Sequence, residues 1–104
     1  TYTGMDANNV LAQIATWRSA DISANELYKG DFEKALASIT ARVCVMPCTS
    51  DSYFPPDDSK IEISHMNNAV LRPIKSQWGH WAGSGRNPED TDFIDKQLKE
   101  LLLN

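Results

Sequence analysis

Long apolar runs are missing from this 104-residue sequence. No stretch approaches the roughly 20 residues that a membrane-spanning helix needs, so a membrane is not expected as a partner. An excess of basic charge is missing too. Ten Lys and Arg stand against fourteen Asp and Glu, a net charge of −4 with the cations scattered, which leaves no footprint for a nucleic-acid backbone. Cysteine is scarce, at Cys44 and Cys48 alone. In an extended segment four residues span roughly 13 Å, beyond disulfide reach, so both are expected to be reduced, buried thiols. Neither their spacing nor that of His65 and His80 matches a zinc pattern, and no metal is expected. There is no internal repeat, no low-complexity segment and no signal peptide, and the default expectation is cytoplasmic. An initiator methionine is also absent: the chain opens on Thr1 and a helical pattern starts within ten residues. More chain is therefore expected before Thr1.

Periodicity supplies the elements. Val10, Leu11, Ile14 and Trp17 or Arg18 recur at helical spacing behind Asp6, an N-cap candidate. Ser23 with Glu26 matches a capping box, yet Gly30 follows too soon for a long helix, so a short turn or irregular link is expected there. From Asp31, the positions Phe32, Ala35, Leu36 and Ile39 make the apolar face of a second helix, suited to a sheet. The run A-R-V-C-V-M-P at 41–47 reads as a central strand covered on both faces, followed at once by polar Thr49, Ser50 and Asp51.

Pro55 and Pro56 before Asp57 and Asp58 open a helix to about Asn68. Residues 69–76 then supply a second strand, with Pro73 pointing to the sheet edge. The glycines at 79, 83 and 85 predict a loop carrying His80. Asn87-Pro88-Glu89-Asp90 starts a last helix whose face is Phe93, Ile94, Leu98, Leu101 and Leu102. The alternating portion predicts right-handed parallel crossovers, an α/β fold.

Catalysis in an open parallel sheet sits at the carboxyl ends of the strands, and Asp51 and His80 each fall just past one. An aspartate that accepts the Nδ1 proton of an imidazole, which then acts as general base, is the rear half of a serine triad. Acid before histidine is the chain order of the α/β-hydrolase triad. Taken alone, an Asp after a strand is more often a turn residue; a histidine in a glycine-bearing loop has less structural reason to be there. His65 reads as a mid-helix surface or packing residue.

The stretches C-T-S-D-S-Y-F-P-P-D-D-S at 48–59, S-Q-W-G-H-W-A-G at 76–83 and D-A-N-N-V-L at 6–11 resemble segments of the homoserine O-acetyltransferase-like family of α/β-hydrolase enzymes. That resemblance implies the C-terminal part of a three-layer α/β/α fold with parallel strands. It makes residues 1–30 the end of a helical lid and residues 31–104 the C-terminal part of the core, with the N-terminal part of the same fold as the missing partner. It makes Asp51 the triad acid and His80 the general base, with an acyl-enzyme on a serine and an acyl-CoA, acetyl-CoA in the true transferases, as co-substrate rather than bound cofactor.

Two departures stand out. Homoserine-specific members are expected to carry an aspartate directly after the histidine to meet the substrate ammonium; here that residue is Trp81. No Gly-x-Ser-x-Gly occurs: Ser84 lies between Gly83 and Gly85, but Ala82 and Arg86 occupy the required glycine positions, so the nucleophile and oxyanion hole are expected upstream.

The sequence-based expectation is thus an acyltransferase moving an acyl group from acyl-CoA to an alcohol. An esterase of small acyl esters is the alternative, and a non-catalytic remnant or binding module the second. The chain alone is expected to be inactive. Trp78 and Trp81 flank the histidine and either line a pocket for the small-molecule acyl donor or acceptor, or pack. Tyr53 and Phe54 are read as packing that fixes the Asp51 loop, and Trp17 as core or pocket lining. The 6–18 helix is a possible homodimer contact.

Overall fold

The computed structural model describes residues 2–103. The chain divides into two compact units, one running to Phe32 and the other from Glu33 onward.

In the first unit a short 3-10 helix, Tyr2–Gly4, precedes helix α1, Ala7–Ser19. Asp6 caps α1 as its chemistry predicts: Oδ1 accepts the Asn8 and Asn9 amides at 2.9 and 3.1 Å, satisfying two of the orphan donors of a helix start. No residue of α1 is buried, and Leu11, Ile14 and Trp17 are all exposed. Trp17 is therefore not a core residue. The Ser23–Glu26 pattern caps no helix. Asp21 Oδ1 instead accepts both the amide (2.8 Å) and the hydroxyl (2.6 Å) of Ser23, and these two bonds hold the Asp21 carboxyl below its ordinary range against a small opposing desolvation. Lys29 and Gly30 both take positive φ and close the turn, with the Gly30 amide returning to the Ser23 carbonyl at 2.8 Å.

The second unit carries α2 (Phe32–Ala37, starting at the division), β1 (Val43–Val45), α3 (Pro56–Ser64), β2 (Ala69–Leu71), a 3-10 helix (Gly79–Ser84) and α4 (Pro88–Leu103). Strands β1 and β2 are parallel, with Val43, Cys44 and Val45 opposite Ala69, Val70 and Leu71. Each strand is shorter than its apolar run. Pro47 stands in the register of the β1 donors and has no N–H to give, so the ladder breaks after three pairs and resumes as a single bridge, Cys48 to Ile74. Two bonds carry it across the gap: the Ile74 amide reaches the Pro47 carbonyl at 2.8 Å, and the Thr49 amide the Ile74 carbonyl at 3.0 Å.

Further expectations need correction. Helix α3 stops at Ser64, short of Asn68, so His65 is its C-cap rather than a mid-helix residue, half-buried with Nε2 3.8 Å from Glu33 Oε1. The asparagines that follow have other work: Asn67 Nδ2 caps the Ala37 carbonyl of α2 at 3.0 Å, and the Asn68 carbonyl takes the Val43 amide at 2.9 Å. Cys48 is buried as expected, but Cys44 is only half-buried, beside a groove lined by Arg42, Arg72, Gln97 and Leu101; both thiols are free. The glycine-bearing loop is an ordered 3-10 helix. On α4, Phe93 and Ile94 pack inward while Leu102 is exposed.

The core that matters for the site is small. Cys48, Ile74 and Ala82 are buried together, and Met46, Phe93 and Ile94 pack on them. Among the described residues no helix is long and apolar enough to cross a membrane.

Candidate active site

Cys48 lies three residues before Asp51, and Ala82 two residues after His80. The core therefore pins the two turns that carry the acid and the imidazole. Asp51 leaves the strand end through a turn in which its own amide reaches the Cys48 carbonyl at 3.1 Å. Its carboxylate is nearly enclosed, with 9% of the side chain exposed, whereas the His80 side chain is 43% exposed.

The two oxygens of Asp51 divide the work. Oδ1 accepts the amides of Tyr53 and Phe54, at 2.8 and 3.2 Å. Oδ2 lies 3.3 Å from His80 Nδ1. With its proton on Nδ1 the ring donates to Asp51, at the long end of the hydrogen-bonding range, and its Nε2 lone pair is left free. Desolvation works against the Asp51 charge, but the Tyr53 and Phe54 amides, together with the hydrogen bond and charge of His80, outweigh it and hold the carboxyl below its ordinary range. Asp51 is thus an anion at neutral pH with one oxygen aimed at the imidazole.

Tyr53 and Phe54 do more than pack. Their amides orient Asp51, while their rings flank His80 with centroids 4.9 and 5.5 Å from the imidazole. Trp81 stands edge-on to His80 at 6.2 Å, and the Arg86 guanidinium covers its ring at 4.7 Å. Trp78 and Trp81 are both largely exposed, and neither lines the open cavity of about 500 Å³ that Asp51 and His80 border. The cavity walls are Met46, Phe54, Ala82 and Ile94, with strand residues. The structure thus brings together Asp51, His80, Tyr53 and Phe54, and leaves the tryptophans at the margin.

Residues outside the sequence-based reading hold the turns. Ser50 Oγ donates to the Ser76 carbonyl at 2.7 Å and accepts the Gly79 amide at 3.0 Å. Ser76 Oγ donates to Asp90 Oδ2 at 2.7 Å and accepts the Trp78 amide at 3.1 Å. Gly79 has φ +57°, and a Cβ there would lie 3.4 Å from the Ser50 carbonyl oxygen. The one available signal was positional: Ser50 and Ser76 sit at the two strand ends. Among the described residues no group of three or more His, Cys, Asp or Glu is gathered as a metal site would require.

No protein-family model matches the chain. It is 36% identical over 101 residues to the ethyl acetate hydrolase of Pseudomonas veronii and 32% identical over 101 residues to a probable esterase of Corynebacterium glutamicum. Each alignment takes in 97% of this chain and 28% of the relative, so the chain spans little more than a quarter of the length of these proteins. Among solved structures, the acetyl esterase MekB superposes with a TM-score of 0.85 at 36% identity, and an acetylester hydrolase from Corynebacterium glutamicum with 0.84 at 32%. Each superposition covers 96% of this chain and 28% of the other.

These relatives are ester hydrolases, which overturns the expectation of an acyl-CoA-dependent, homoserine O-acetyltransferase-like transferase. The acid and histidine segments do not separate the two chemistries; the residue after the histidine, Trp81, already departed from the transferase pattern. The chain has the fold of the α/β-hydrolase superfamily, of which it holds a C-terminal part.

Proposed function

We propose that this chain is the acid-and-histidine part of a serine esterase that hydrolyses short acyl esters, acetyl esters of small alcohols foremost. The observation that carries the reading is the Asp51 Oδ2 to His80 Nδ1 contact of 3.3 Å, with the second carboxylate oxygen tied down by two backbone amides. The likeness to an ethyl acetate hydrolase and an acetyl esterase supports the substrate class.

In this reading His80 Nε2 takes the proton of a serine hydroxyl supplied elsewhere in the fold, and the serine oxygen adds to the ester carbonyl. Asp51 remains ionised and stabilises the imidazolium. Collapse of the tetrahedral species breaks the bond to the alcohol, which leaves with the proton from Nε2. Water then repeats the cycle on the acyl-enzyme and releases the carboxylic acid. The ester is the acyl donor and water the acceptor, so no acyl-CoA is required. Trp81 offers no charge to an ammonium group, which favours neutral alcohols as leaving groups. Residues 1–30 fit as the end of a helical lid.

Intact-mass spectrometry of the native protein with a fluorophosphonate probe, beside an ethyl acetate hydrolysis assay, tests this. A single adduct that disappears in His80→Ala is expected. In Asp51→Asn, kcat should fall by about 10³ to 10⁴-fold with KM little changed, because the wrong imidazole tautomer then faces the serine. A native protein that takes up no adduct and releases no acetate overturns the proposal.

A further inference from the structure

The residues immediately before Asp51 and His80 are joined as closely as the pair itself. Ser50 meets Gly79 and Asp51 meets His80, two adjacent residues of one turn on two adjacent residues of the other, each pair 29 positions apart in the chain. A serine hydroxyl has one proton and two lone pairs. At Ser50 the proton goes to the Ser76 carbonyl at 2.7 Å, and a lone pair takes the Gly79 amide at 3.0 Å. Cys48 Sγ sits 3.5 Å from the same oxygen. With both roles in use, the hydroxyl cannot rotate away without breaking both bonds.

The Gly79 amide belongs to the peptide just before the one leading into His80, so Ser50 sets where the His80 backbone starts. Gly79 permits the approach through its left-handed φ of +57°. Among the described residues the imidazole hydrogen-bonds through the 3.3 Å contact to Asp51, with the Tyr53 and Phe54 rings tilted beside it. That contact is already at the long end of the range, so a small displacement of Gly79 breaks it. The far side of the clasp is held in turn: the Ser76 hydroxyl is bonded to Asp90, which is 4% exposed in the first turn of α4.

We propose that Ser50 is a positioning residue of the Asp51–His80 pair, clasping the acid turn to the histidine turn so that Nδ1 keeps its proton pointed at Asp51 and Nε2 stays available as base. Its meaning for turnover rests on the proposed esterase function; its effect on the imidazole does not.

The test compares Ser50→Ala and Ser50→Thr in the native protein. Nitrogen-15 NMR reads the tautomer of His80, and ethyl acetate hydrolysis gives kcat and KM separately. Ser50→Ala is expected to convert the Nδ1–H form into a tautomer mixture and to lower kcat about tenfold to a hundredfold, as misplacement of a catalytic group does, with KM within about twofold. Ser50→Thr, which keeps the oxygen, is expected to restore both. A purely structural serine would lower the melting temperature and leave tautomer and kcat unchanged, and that result overturns the proposal. If Ser50→Ala does not fold, Ser50→Cys, of similar size but a poor acceptor, is read the same way. If the wild type hydrolyses no ester, the esterase reading fails while the tautomer measurement still decides the clasp.

Discussion

Ser76 gives its hydroxyl proton to Asp90 across 2.7 Å, tying the end of the β2 segment to the first turn of α4. Asp90 is among the few buried polar side chains of the described residues, and its position in the first turn also suits the helix dipole. Removing one partner of a partly buried hydrogen bond leaves the other short of a partner, the costly half of the exchange. Asp90→Ala should therefore destabilise the protein by about 1–3 kcal/mol, measured by urea unfolding. Asp90→Asn, which keeps an acceptor, should lose less. An unchanged midpoint in Asp90→Ala would show that the Ser76 contact adds nothing net.

Gly79 is the one glycine whose missing side chain and left-handed backbone coincide at the site. An alanine there would hold φ near +57° at a cost of about 1–2 kcal/mol, with its Cβ in van der Waals contact with the Ser50 carbonyl oxygen at 3.4 Å. Gly79→Ala should lower stability by that amount and also shift His80, whereas Gly83→Ala, whose Cβ meets nothing within 4 Å, should do neither. Equal unfolding midpoints for the two variants would contradict the strain argument.

How much of this was readable in advance follows the range of the forces involved. The helix starts at Asp6 and Asn87 were legible because capping is local: an oxygen reaches amides two or three residues on. Asp51 and His80 were legible as neighbours because both follow runs of strand character. The strand lengths were not, since Pro47 interrupts a ladder only once the two runs are paired. Nor was the 3-10 helix at His80: Gly79, Gly83 and Gly85 suggest loop, but buried Ala82 fixes the turn to Cys48 and Ile74. The Ser50 and Ser76 bonds span 26, 29 and 14 residues and leave no periodic trace. At the level of reaction, the acid and histidine segments carry the part of the chemistry that transferases and esterases share, which is why the resemblance pointed to the wrong acceptor.

The lowered Asp51 carboxyl makes the acid turn sensitive to pH in one direction. In the unfolded chain the group titrates near its ordinary 3.8, and in the folded chain below that. The folded state therefore holds the carboxylate more tightly than the unfolded state does, and the resulting stability is fully present above 3.8 and lost as pH falls through the folded value. Asp21 is shifted in the same direction by Ser23, so the total acid sensitivity is not Asp51's alone. The difference between wild type and Asp51→Asn isolates it. Asparagine keeps a carbonyl oxygen for the Tyr53 and Phe54 amides but has no charge to titrate. Urea midpoints measured from pH 7 downward should show wild type ahead above 3.8, with the margin closing as pH falls below it. Amide exchange at Tyr53 and Phe54 should quicken over the same interval, once intrinsic exchange is divided out. A margin that stayed open well below 3.8 would mean that the Asp51 charge adds nothing to the stability of the acid turn.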